Sequence, residues 1–179
     1  MAKALSPIRI ARFNLENVDA PGTENLGIDF QLGIRQGIRL YRAEFGIGEM
    51  AFVDAAAAAQ RCVCLMSLHA ETGNLEDLFP TDTGLINSEV VASAIIQGQM
   101  HDSAAAGGMV DYVWLKEGTI NYREVLGEPL LLAQNLTFRV TAEELVSATL
   151  QVLDAHVQLW YDYVELTPAE LASQFILRR

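Results

Sequence analysis

The chain has 179 residues, with 12 lysine and arginine against 23 aspartate and glutamate, a formal net charge of −11. It is 51% hydrophobic and 20% charged, the composition of a folded domain rather than a disordered tail, and its length buries a substantial core without disulfides or metals. An acidic surface repels phosphate backbones and anionic membranes, so direct nucleic-acid binding is not expected, nor is a membrane-bound role.

The charge is uneven. Six of the 12 basic residues (Lys3, Arg9, Arg12, Arg35, Arg39, Arg42) fall in the first 42 positions beside four acids (Glu16, Asp19, Glu24, Asp29), leaving that segment at +2 and the remainder at −13. A solvated face accounts for this; so does an N-terminal segment that docks on the acidic body of a neighbouring copy. Residues 1–33 are punctuated by Pro7, Pro21, Gly22, Gly27 and Gly33 and read as an extended arm. Such an arm either closes an edge of its own sheet or lies across another subunit. Residues 1–12 lack the continuous apolar core of a signal peptide, and no window approaches the roughly 20 apolar residues of a membrane-spanning helix.

Residues 34–45 predict a strand with Ile38 and Leu40 on one face and Tyr41, Ala43 and Phe45 on the other, ended by Gly46 and Gly48. Over 51–60, five consecutive alanines favour a short helical turn on propensity, while a run of small side chains also suits a tight contact between sheets. Residues 61–70 are apolar on both faces, as a central strand covered on both sides should be. Cys62 and Cys64 lie two apart on that strand, poorly placed to bridge each other, and predict buried free thiols in a reducing compartment. Residues 71–87 form a polar loop whose acids lack calcium-loop spacing, followed by a β-rich run over 88–100 and a small-residue stretch over 101–108.

Segments 109–115 and 119–126 flank Lys116-Glu117-Gly118 and predict a hairpin, with Tyr112, Trp114 and Tyr122 as cross-strand neighbours or, secondarily, a ligand platform. Leu130 to Ala133 reads as an edge piece, and Leu136, Phe138 and Val140 share one face of the next strand. Thr141-Ala142-Glu143-Glu144 has the form of a capping box and predicts a helical turn.

The clearest signal is near the C-terminus. Odd positions Leu153, Ala155, Val157, Leu159, Tyr161 and Tyr163 alternate with even positions Asp154, His156, Gln158, Trp160 and Asp162, which places one face of a long strand on a core. Thr167-Pro168-Ala169-Glu170 then starts a helix over 168–177, with Leu171, Phe175 and Ile176 as its apolar stripe. Seven to nine strands at these intervals predict a mainly β fold: an antiparallel β-sandwich, jelly-roll-like, over 34–179, with the arm at its start and the short helix at its end.

No nucleophile elbow, phosphate-binding loop or dinucleotide fingerprint is present, and His69, His101 and His156 stand far apart with no metal-ligand spacing. No catalytic, cofactor-binding or metal residue is therefore assigned, and an enzyme is not expected. The even face of the last strand offers two uses. Trp160 can stack on a sugar ring with Asp154, His156 and Gln158 supplying hydrogen bonds, or it can bury against a neighbouring strand or a second subunit. Residues 157–167 (Val157-Gln158-Leu159-Trp160-Tyr161-Asp162-Tyr163-Val164-Glu165-Leu166-Thr167) loosely resemble the last strand and tail of single jelly-roll coat proteins of viruses and phages. That resemblance implies a capsid subunit that assembles with itself, and with other virion proteins, through arm and edge contacts. Its candidate interface residues are Arg9, Arg12, Trp160, Phe175 and Ile176, and its location is the virion, assembled in a reducing cytoplasm. The alternative is a β-sandwich that binds a carbohydrate-type ligand on the even face.

Overall fold

A computed structural model of the chain describes residues 3–18, 22–52, 60–70, 90–102, 110–112, 118–146 and 150–176. These form strands β1 (Lys3–Ala4), β2 (Arg9–Leu15), β3 (Gly22–Ile28), β4 (Gln36–Phe52), β5 (Gln60–Ala70), β6 (Val90–Asp102), β7 (Val110–Tyr112) and β8 (Thr119–Asn121). Helix α1 (Tyr122–Leu126), strands β9 (Leu130–Leu132), β10 (Leu136–Val146) and β11 (Leu150–Glu165), and helix α2 (Pro168–Ile176) complete them.

Every strand pairing is antiparallel, and the strands divide into two sheets. In sheet A, β11 lies between β4 and an edge made of β1 and β2, while β8 and β9 form the opposite edge along β4. Sheet B runs β3-β10-β5-β6-β7. With β8 and β9 taken as one interrupted strand, and β1 and β7 as edge additions, eight strands remain. In chain order they run first-eighth-third-sixth in sheet A and second-seventh-fourth-fifth in sheet B. That is the jelly-roll order, two sheets wound from a pair of Greek keys.

Alternation explains which face each strand buries. On β11, Leu153, Ala155, Val157, Leu159 and Tyr161 are buried, and on β10 Leu136, Phe138, Val140 and Ala142 meet them from sheet B. Phe45 and Phe138 lie with ring centroids 6.1 Å apart at the centre of this layer, next to Met66 and Leu68 of β5. The Cys64 side chain is buried on the same strand, whereas the Cys62 side chain lies outside the described residues.

The N-terminal segment takes the first of its two options. β1 and β2 pair with β11, and β3 pairs with β10, so the arm closes one edge of each of its own sheets. Ala11, Phe13 and Leu15 pack against the core from the β2 edge.

Four local expectations give way to the fold. β4 does not stop at Gly46 but continues through Gly48 to Phe52. Its two predicted faces merge as well, because the β4–β11 register shifts between Trp160 and Tyr161, leaving Tyr41 as an extra residue opposite them. An added residue reverses the in-and-out phase of the strand beyond it. Ile38, Leu40, Ala43 and Phe45 therefore all face the core while Tyr41 and Arg42 face outward. Among the described residues the predicted hairpin around Gly118 does not form: β7 pairs with β6 in sheet B, β8 pairs with β4 in sheet A, and Tyr122–Leu126 is helical. Thr141 to Glu144 lies within β10, where residues 136–142 pair with β3 on one side and β5 on the other. The edge piece after Pro129 is β9, as expected, and the alanine run of 55–59 and the loop of 71–87 lie outside the described residues.

At the end of β11, the backbone N–H and Oγ1 of Thr167 each donate to Glu170 Oε2 at 2.8 Å, and the Glu170 N–H donates to Thr167 Oγ1 at 3.3 Å. This is the predicted capping box, and α2 begins at Pro168.

One side chain ties the two sheets together. Tyr122 of α1, only 4% exposed, donates from its hydroxyl to the Val91 carbonyl of β6 at 2.8 Å. Burial pushes its phenol far above the ordinary tyrosine range, and burial also raises Tyr161 and Tyr41. The unfolded chain therefore releases these protons first. The Tyr122 contribution is complete below about pH 10 and falls above it by up to about 1.4 kcal/mol per pH unit. Tyr122→Phe is expected to cost about 1 kcal/mol at neutral pH and to flatten the alkaline loss. Urea unfolding at neutral pH and above pH ~10 measures both effects.

Candidate functional site

The even face of β11 points away from the core at the middle of sheet A, flanked by β2 and β4. Register places its rows across three strands: Asn14, His156 and Gly46; then Arg12, Gln158 and Glu44; then Ile10, Trp160 and Arg42. Asp162 faces Arg39 beyond them. The site is thus built from paired strands, which hold side chains at fixed spacing.

Asp154 accepts a hydrogen bond from the Asn17 backbone N–H at 2.9 Å. Asn17 adopts the left-handed conformation (φ 57°) that asparagine tolerates. Arg12 donates through Nε to Asn14 Oδ1 at 2.9 Å and through Nη2 to His156 Nδ1 at 3.0 Å. A guanidinium only donates, so Nδ1 is the acceptor and the neutral imidazole carries its proton on Nε2. The ring lies over Gly46, where a Cβ would stand 2.6 Å from Cε1 and 2.7 Å from Nε2. Glycine there gives the imidazole its place, and a depression of about 140 Å³ opens beside it between Arg12, Asp154 and Gly48.

Trp160 is half-buried. Arg42 stacks over its ring at 4.7 Å and pairs with Glu44 at 2.5 Å, so one aromatic face is already taken by a cation. At the end of the row Asp162, 3% exposed, receives Arg39 Nε at 2.9 Å, a shorter contact from Arg39 Nη2, and the Tyr41 hydroxyl at 3.3 Å. The hydrogen bond to Asp162 raises the Arg39 guanidinium above its ordinary value. Arg123 of α1 sits 5.8 Å above the Tyr41 ring and extends the network to the helix.

Of the predicted ligand-face residues, Asp154, His156, Gln158 and Trp160 share one face, as their period-two spacing required. Of the predicted interface residues, Arg9 and Arg12 lie exposed on β2, with Arg9 5.0 Å over the Tyr163 ring. Trp160 lies between Ile10 and Arg42, and the side chains of Phe175 and Ile176 lie outside the described residues. Period-two alternation alone misses the whole β4 contribution: Arg39, Tyr41, Arg42 and Glu44. Their polar groups are visible in the sequence, but the bulge at Tyr41 hides the fact that they share a face.

A second polar cluster occupies the side of sheet B away from the core. Ser67 and His69 of β5 lie beside Arg139 and Thr137 of β10, and all four are buried, with Ser67 Oγ 2.7 Å from His69 Nε2. A serine bonded to a histidine is the starting pair of nucleophilic catalysis. At 2% and 0% exposure these two are closed to solvent. Among the described residues no three histidine, cysteine, aspartate or glutamate side chains gather as metal ligands, and no helix is long and apolar enough to cross a membrane.

Neither models of known protein families nor curated proteins give a match to this chain.

Proposed function

We propose that this chain is a structural, self-assembling subunit of the kind that builds the shell of a virus or phage. The observation that carries the proposal is the apolar surface along the N-terminal edge of the jelly roll. Leu5, Ile8 and Ile10 are 47%, 56% and 61% exposed on one edge, with Ile10 directly beside Trp160. Large aliphatic side chains grouped on a sheet edge mark a surface that another protein covers. The jelly-roll winding supports the same reading, since it presents flat sheet faces and edges for lateral packing. The surface is otherwise acidic, so the partners are protein surfaces: other copies of the chain and, in a virion, its companion shell proteins. Arg42 already covers one face of Trp160, which favours packing over sugar stacking on the even face.

Because β2 and β3 belong to the sheets, the test uses the intact chain. Light scattering across protein concentration and salt is expected to give a native mass several times the 19.6 kDa of one chain, rising with concentration. A mass that stays at one chain under all conditions removes the proposal.

A further inference from the structure

Resting on that self-assembly reading, we infer that β2 and β3 together form the subunit's pairing edge, and that its occupant is the same edge of a second copy. Among the described residues β2 pairs with β11 alone and β3 with β10 alone, which leaves one side of each backbone without a strand partner there. Both are seven residues long and neither ladder contains a register shift, in contrast to the bulged ladder at the centre of sheet A. Straight, unbulged edges without proline are the ones able to template a further strand. The opposite side of the sandwich differs. There sheet A ends in the three-residue β8 and β9 separated by α1, and sheet B ends in the three-residue β7.

The two open edges lie side by side, and their directions are set by register. Leu15, the last residue of β2, pairs with Ala155 near the start of β11; Gly22, the first of β3, pairs with Ala142 near the end of β10. β10 ends four positions before β11 begins, so those two points lie at one end of the sandwich. β2 therefore runs toward that end and β3 away from it, and the two contact each other across the layers. A two-fold axis parallel to the strands then sets β2 of each copy antiparallel to β3 of the other. Both pairs form at once, and each sheet A continues into the partner's sheet B.

Charge selects this arrangement over its alternatives. β2 carries Arg9 and Arg12, and β3 carries Glu24. β2 is net positive and β3 net negative, so pairing β2 with β3 is favoured at the level of whole strands, whereas β2 on β2 or β3 on β3 sets like against like. The same contact covers Ile8 and Ile10.

The test combines amide hydrogen exchange with the native mass of the full chain. On association, alternate amides of 9–15 and of 22–28 are expected to slow by about tenfold or more relative to the dilute protein. Ile10→Lys, at an exposed position, is expected to weaken association by about tenfold with unchanged circular dichroism. Arg12→Glu, which removes the net positive charge of β2, is expected to weaken it comparably. Association with exchange unchanged in both strands, or slowed in one only, overturns this interface while self-assembly stands. A monomer at every concentration overturns both.

Discussion

Gly118→Ala is expected to destabilise the fold by about 3 kcal/mol, at the upper end of what overpacking costs. Gly118 precedes β8 in sheet A, and its carbonyl accepts the Phe45 N–H at 2.8 Å. A methyl group placed on it would overlap the Ala94 methyl of β6 and stand 3.1 Å from the Ala94 Cα. The obstacle is a backbone position in the opposite sheet rather than the far end of a flexible side chain, so the layers themselves must separate. For a chain of this size the melting temperature should fall by roughly 6–12 °C. Adding Ala94→Gly in the same chain should return most of the loss, which a double-mutant cycle measures as coupling between the two sites. A Gly118→Ala protein that melts like the parent would show that the sheets are not in contact at this point.

The second large effect is an asymmetry. Arg39→Ala is expected to cost about 3–5 kcal/mol, because it leaves the Asp162 carboxylate buried with the Tyr41 hydroxyl in place of a full positive partner. Asp162→Ala should cost only about 1–2 kcal/mol, since the Arg39 side chain is 27% exposed and its guanidinium can turn to water. Replacing both residues by apolar ones of similar size should come close to neutral. Urea unfolding of the three variants orders them. If Asp162→Ala proves the more damaging single change, the carboxylate is not the buried partner.

These positions also show what the sequence carries and what it does not. The strict alternation of 153–161 locates β11 and its buried face, because a strand buried on one side repeats with period two whatever its neighbours are. The same property puts Asp154, His156, Gln158 and Trp160 in one row. The capping box at Thr167 and Glu170 is legible because all of its bonds are local. Partner choice is not local. Lys116-Glu117-Gly118 has turn composition, yet the described strands on either side join different sheets, β7 along β6 and β8 along β4. Thr141 to Glu144 has a helix-start pattern worth about 1 kcal/mol. A strand with partners on both sides outweighs it. The bulge at Tyr41 belongs to the pairing of β4 with β11, more than a hundred residues apart, and no pattern within β4 announces it.

That separation has a consequence for how the molecule is made. Lys3 pairs with Glu165 and Ile10 with Trp160, so the N-terminal strands leave the ribosome long before the strand that receives them exists. Sheet A is closed only when β11 has been synthesised. Until then the apolar residues of β2 and β4 have no permanent place, and such non-local pairings form slowly. An edge competent to join a neighbour thus appears only once nearly the whole described chain is in hand, and truncated products are kept out of any assembly built through it.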